Sequence, residues 1–174
     1  LNDLYYTTIG NIHLDPEYTT QYNIGITFEK NFPSLSFKHI ELQADVYYNK
    51  VNNKIVAIPA NNPFRWMMLN LGTVKIKGMD VALQGSWLFC KSWQLNTRIN
   101  YTYQKAQDFT DPKDTYYKGQ IPYIPIHSGT AIAGIEYKDW NINYSFIYTG
   151  ERYDSRANIP ANYIQPWYTS DLSI

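Results

Sequence analysis

The feature that most constrains this chain is a period-two alternation of apolar and polar residues, held over runs long enough to cross a lipid bilayer. Between Trp93 and Gln104 one set reads Trp93, Leu95, Thr97, Ile99, Tyr101 and Tyr103, and the interleaved set reads Gln94, Asn96, Arg98, Asn100, Thr102 and Gln104. Successive strand side chains point to opposite faces, so such a strand has one oily face and one wet face. In a soluble protein the oily face packs on a second layer. In a transmembrane barrel it meets lipid, and the wet face lines the lumen.

The same pattern predicts strands over about Tyr18–Lys30, Phe37–Asn52, Leu71–Phe89, Ile126–Lys138 and Trp140–Tyr153, and a seventh beginning near Trp167. A weak strand signal continues from Asn52 to Ile58, and Pro59–Met68 reads as a loop. In the third strand the parity reverses before Gly78, where Val74 and Ile76 oppose Lys75 and Lys77, so a bulge is expected there. The fifth strand alternates least well, with Ile132 on the wet side. Short turns fall at Asn31–Ser34, Cys90–Ser92 and Lys138–Asp139, and long polar loops follow the second, fourth and sixth strands. That asymmetry is the one seen in outer-membrane barrels, with short periplasmic turns and long extracellular loops. Trp87, Trp93 and Trp140 lie beside the short turns, and Tyr48, Tyr101, Tyr103 and Tyr148 lie toward the long loops, as two interfacial girdles would.

Composition narrows the field. Fifteen basic and 15 acidic residues balance, which removes the electrostatic case for nucleic acid. A mean hydropathy of −0.43 argues against helical spans but not against a barrel, half of whose strand residues are wet. No apolar run is long enough for a transmembrane helix. Aromatics reach 17%, and Tyr and Trp suit a boundary between oil and water. One cysteine, Cys90, permits neither a disulfide framework nor a cysteine metal cluster.

No catalytic constellation is visible, and an outer-membrane barrel enzyme would need a nucleophile and base that the sequence does not offer. His13, His39 and His127 are not at ligand spacing. Asp108, Asp111 and Asp114 lack the spacing of an EF-hand loop and read as a solvated acidic loop. Neither a metal nor a cofactor is expected. Glu41, Asp45, Asp80 and Arg98 fall on the wet face, where they contact a plug or pair across strands in a water-filled lumen. In the long loops Phe64, Arg65, Trp66, Tyr116, Tyr117, Arg152, Tyr153 and Arg156 combine guanidinium groups with aromatic faces, a mixture typical of binding hot spots and equally of an upper aromatic girdle.

Four short segments resemble the TonB-dependent outer-membrane receptors. Gly10-Asn11-Ile12-His13-Leu14-Asp15-Pro16-Glu17 is similar to the family's Asn-Pro-x-Leu-x-Pro-Glu segment, with Ile12-His13 in place of Pro-x. Val74-Lys75-Ile76-Lys77-Gly78-Met79-Asp80 resembles its basic-Gly-apolar-acid strand, with Asp for the commoner Glu. Tyr148-Thr149-Gly150-Glu151-Arg152-Tyr153-Asp154 is similar to its Gly-x-Arg-Tyr-Asp strand end, and Asp171-Leu172-Ser173-Ile174 to the start of its third-from-last strand. The layout is closest to receptors for cobalamin and siderophores. The resemblance implies a barrel of roughly 22 strands closed around an N-terminal plug.

The expected fold is therefore all-β: an antiparallel, up-and-down transmembrane β-barrel segment of about seven strands, a curved open sheet cut from a larger barrel. Residues 1–174 are expected to be a partial barrel domain, with the plug and the final strands outside it. By resemblance the whole receptor binds a scarce nutrient and imports it with energy from TonB across the outer membrane of a Gram-negative bacterium. Its partners are outer-membrane lipid, its own plug, TonB and a small-molecule nutrient. The alternative left open is a soluble or surface all-β binding or adhesion module whose oily faces pack on each other.

Overall fold

Strand pairing follows chain order. The structure, a computed structural model, describes residues 11–33, 36–59, 66–89 and 92–174. Its strands are β1 (Tyr18–Asn31), β2 (Phe37–Pro59), β3 (Trp66–Phe89), β4 (Trp93–Asp108), β5 (His127–Tyr137), β6 (Trp140–Thr149), β7 (Arg152–Tyr153), β8 (Tyr163–Ile164) and β9 (Trp167–Ser173). One open antiparallel sheet of seven strands runs β1-β2-β3-β4-β5-β6-β9, and β7 and β8 form a separate small hairpin in the last loop. Gly10, Ser34, Phe64, Arg65 and Cys90 lie outside the described residues.

The register turns the alternation into two continuous faces. Phe28, Leu42, Leu83, Ile99, Ala131 and Phe146 stand side by side in one row across six strands. The adjacent row, on the opposite face, holds Glu29, Glu41, Gln84, Arg98, Ile132, Ser145 and Asp171. Every Asp and Glu within these seven strands lies on that second, polar face: Glu29, Glu41, Asp45, Asp80, Asp108, Glu136 and Asp171. The first face is apolar and uncovered, with Ile24 at 73% and Ile99 at 47% of full exposure.

Aromatic pairs mark both ends of the apolar face. Beside the short turns Trp93 stacks on Tyr137 at 4.2 Å, and Trp87 lies 5.1 Å from Phe37. Toward the long loops Tyr22 stacks on Tyr48 at 6.5 Å, and the Tyr101 hydroxyl meets His127 Nδ1 at 2.7 Å. From Trp93 to Tyr103, β4 climbs about 34 Å at about 3.4 Å per residue. At a tilt of about 45° that is about 24 Å of height, the thickness of an outer-membrane apolar band. Lys138, with φ 52, is the first central residue of the two-residue β5–β6 turn, as a primed hairpin turn requires.

The expected bulge at Gly78 is not there. Register is unbroken from Val51↔Val74 through Tyr47↔Gly78 to Asp45↔Asp80, and the one shift in this hairpin lies at Phe37/His39. Val74 and Ile76 therefore share the polar face with Asp80. They are apolar because that face is covered at its long-loop end. Val51, Val74 and Ala106 are buried there with Ile121 of the β4–β5 loop, and Val56 and Leu71 complete the cluster. Gly78 serves a different purpose: a Cβ at that position would run into the ring of Tyr47 on β2. The parity change falls further along, where Asn53 takes φ 55 opposite Gly72, so that Val56 and Leu71 join a cluster reached from the other parity by Val51 and Val74.

Two strands also outrun the expected limits. Both β2 and β3 extend far past the upper aromatics, so β3 begins at Trp66 rather than near Leu71 and the expected Pro59–Met68 loop is in part strand. Similarly, β4 continues to Asp108, into what reads in the sequence as loop. Past Tyr103 its edge is taken by its own loop: Gln104 N–H donates to Ile126 O at 2.8 Å, Ile121 N–H to Ala106 O at 2.9 Å and Asp108 N–H to Gly119 O at 2.9 Å. These bonds satisfy backbone groups that would otherwise be stranded at a sheet edge.

Candidate functional site

The polar face and the loops above its upper end form one continuous surface. On the face, β2, β3 and β4 place Glu41, Gln84 and Arg98 in one row. Arg98 Nη2 donates to Gln84 Oε1 at 2.7 Å, and Gln84 Nε2 donates to Glu41 Oε2 at 3.4 Å. The neutral amide thus relays between a cation and a carboxylate too far apart to pair directly. Four residues higher on each strand, Asp45 and Asp80 stand directly opposite each other. Thr102 Oγ1 donates to Asp80 at 2.6 Å, and Gln43 Nε2 to Asp45 at 2.8 Å. These carboxylates line a recess of about 400 Å³ with Gln21, Asn23, Asn49 and Gln104. The structure so brings Glu41, Asp45, Asp80 and Arg98 onto one polar wall within two rows of bonds.

The loop residues are tied together, in part by each other. Arg156 Nη2 reaches Asp108 Oδ2 at 2.8 Å and Asp114 Oδ2 at 3.2 Å, and its guanidinium lies 4.9 Å from the centre of the Tyr116 ring. Burial pushes the Asp108 carboxyl up, but hydrogen bonds from the Thr110 side chain and backbone, and then Arg156, outweigh it and hold the group below the ordinary aspartate range. Asn158 accepts from the Gln120 backbone N–H and donates to Gln120 O at 3.1 Å, pinning the β6–β9 loop to the β4–β5 loop. Trp66 packs on Tyr123 at 5.3 Å, bringing in the β2–β3 hairpin. Tyr117 meets Phe109 edge-on at 5.4 Å. In β7, Arg152 Nη1 bonds Gly150 O at 3.3 Å and Tyr153 packs on Tyr163 at 6.0 Å. Tyr123 N–H donates to Tyr153 O at 2.7 Å. Tyr163 in turn donates to Glu151, which raises its own ionisation above the ordinary tyrosine range.

Sequence reasoning missed one fastening altogether. The Glu17 carboxylate accepts from Lys54 Nζ at 2.8 Å and from the Ile55 N–H, and Asn70 Nδ2 donates to Asp15 O at 2.9 Å. Asn53 Nδ2 also reaches Pro16 O at 3.4 Å. The segment before β1 is thereby stapled across the tall β2–β3 hairpin. The polar residues Asn53, Lys54 and Asn70, set among strand-forming neighbours, were the available signal.

An antiparallel sheet paired strictly in chain order, with one uncovered apolar face edged by aromatics and one polar face under long loops, defines a segment of an up-and-down transmembrane β-barrel. The chain belongs to the TonB dependent receptor-like, beta-barrel family, which matches residues 1–174. It is 27% identical over 164 residues to the vitamin B12 transporter BtuB of Photobacterium profundum, a match covering 90% of this chain and 23% of that protein. Among solved structures, it is similar to the siderophore receptor PiuA of Acinetobacter baumannii, with TM-score 0.62, 22% identity and coverage of 91% of this chain and 22% of that one. It is also similar to the ferric yersiniabactin uptake receptor FyuA of Yersinia pestis, with TM-score 0.55, 16% identity and coverage of 90% and 22%. The chain thus spans about a quarter of the length of these relatives. The family is one of outer-membrane receptors and transporters, not of enzymes.

Proposed function

We propose that residues 1–174 form part of the barrel wall of a TonB-dependent receptor in a Gram-negative outer membrane, which binds a scarce nutrient outside the cell and imports it with energy delivered through TonB. The observation that carries this reading is the complete sorting of Asp and Glu to one face of a seven-stranded sheet whose other face is apolar and uncovered. The polar face lines the lumen, where Glu41, Asp45, Asp80 and Arg98 meet the receptor's own plug domain. The loops, with Phe64, Arg65, Trp66, Tyr116, Tyr117, Arg152, Tyr153 and Arg156, present the ligand surface. Of these, Arg156 already has its charge engaged by Asp108 and Asp114, so it acts by fixing the loops, while Trp66, Tyr116 and Tyr117 offer aromatic faces. An iron chelate or a cobalamin is the class of cargo that similarity to BtuB, PiuA and FyuA supports.

The test is binding and uptake by the full-length receptor. Calorimetry against cyanocobalamin and a panel of ferric siderophores should find one ligand that binds, and its uptake by cells should stop when TonB is deleted. A receptor that binds none of them, or imports equally well without TonB, would refute the proposal.

A further inference from the structure

The apolar face carries four lysines just past its upper aromatics. Strand register places Lys77 of β3 directly opposite Lys105 of β4, and Lys50 of β2 directly opposite Lys75 of β3. Lys75 and Lys77 are two residues apart on the same face, so the four ammonium groups form one block over three adjacent strands. Like charges directly opposite across an antiparallel pair are destabilising, and this block contains two such pairs. Relief cannot come from the sheet, because no Asp or Glu lies on this face in the described strands. Among the described residues none of the four is in an ion pair.

Position and shape point to what relieves it. Lys77 stands in the same row as Tyr22 and Tyr48, and Lys105 lies two residues beyond Tyr103, so the block begins where the apolar band ends. An isolated lysine at such a rim is ordinary, because its long stem lets the ammonium reach the interface. A general interfacial preference would distribute lysines around the rim, yet β1 presents Tyr22 and Thr20 in these same rows, and the upper ends of β5, β6 and β9 carry His127, Tyr148 and Tyr168 on this face. The positive charge is a patch. Lys50, Lys77 and Lys105 are exposed, whereas Lys75 is half-buried with its Nζ 4.2 Å from the centre of the Phe109 ring, which restrains that side chain.

We propose that Lys50, Lys75, Lys77 and Lys105 form a binding site for the phosphorylated headgroup of an outer-leaflet lipid, held against the outside of the barrel. Two lysine pairs in successive rows of one face match a headgroup with more than one phosphate, and ammonium–phosphate contacts at a partly desolvated interface are strong, charge-assisted hydrogen bonds. The aromatics below would hold the acyl chains of the same lipid. The inference rests on the reading that the apolar face meets the membrane with the long loops outside.

The experiment is native mass spectrometry of the full-length receptor with added bisphosphorylated lipid A, against the same lipid stripped of phosphate. The wild type should retain the phosphorylated lipid, and the fourfold Lys→Arg variant should match it. The fourfold Lys→Gln variant should lose about tenfold in occupancy, with the pairs K50Q/K75Q and K77Q/K105Q each showing a clear part of that loss. Full retention by the fourfold Lys→Gln variant, or by both pairs if it does not assemble, overturns the site. So does equal retention of dephosphorylated lipid. Membrane contact is read separately, as protection of Ile99→Cys from a water-soluble thiol reagent in a Cys90→Ser receptor in lipid vesicles. Loss of that protection refutes the membrane reading, whereas protection without phosphate discrimination refutes only the lysine site.

Discussion

Asp45 and Asp80 face each other as direct partners across β2 and β3, two carboxylates on one wall without a described cation between them. Opposed like charges in an antiparallel pair cost about 0.2–1 kcal/mol. Asp45→Asn keeps the acceptor for Gln43 and removes one charge. It should raise the urea midpoint of the full-length barrel by an amount corresponding to that energy, and the gain should shrink in high salt. Unchanged or lower stability would mean that the pair already holds a counterion or a plug residue.

Ile99 and Asn100 are sequence neighbours on opposite faces of β4. If the apolar face meets lipid near mid-depth, Ile99→Arg costs about 2–4 kcal/mol and Val46→Arg behaves alike, while Asn100→Arg on the polar side changes stability little. Folding yields in lipid vesicles, read by heat-modifiable gel mobility, separate the two. Equal yields for Ile99→Arg and Asn100→Arg would contradict the assignment of Ile99 to lipid and Asn100 to the lumen.

The Asp108 carboxyl is held below its ordinary range, so its contribution to the loops has a definite pH window. It is complete above about pH 4, the titration range of a free aspartate, and is lost as pH falls through the lower folded value. A spin label on Lys113→Cys, in a Cys90→Ser background, should be immobile from neutral pH down to about 4 and become mobile below that. Arg156→Ala should mobilise it at every pH, by about 1–2 kcal/mol of local stability given the partial exposure of the arginine.

Glu17 joins the segment before β1 to Lys54 and Ile55 near the top of β2. Glu17→Ala should accelerate amide exchange at Ile55 and in the upper β2–β3 hairpin, while amides of β4 and β5 beside the short turns stay protected. Uniform acceleration across the sheet would show that the staple is part of global stability instead.

The strands were legible because their signal is local: each side chain's face follows from its parity, and Ile99, Leu83 and Leu42 align once neighbouring strands pair in order. The errors came from distant partners. Val74 and Ile76 look out of phase until Ile121, far along the chain, is seen covering that end of the polar face. Arg156 reads as a free recognition residue in the sequence, and only the folded loops reveal its two carboxylate partners. Lys77 and Lys105 become a pair only when the register between β3 and β4 is known.

In the seven-stranded sheet each strand is hydrogen-bonded only to those before and after it in the order. A hairpin in such a sheet is a separable unit: lengthening it, as in β2 and β3, raises a tower above the rim without disturbing the rows below. A receptor wall built this way can evolve new specificity by editing its summit, hairpin by hairpin, while the register that keeps oil outside and water inside stays untouched.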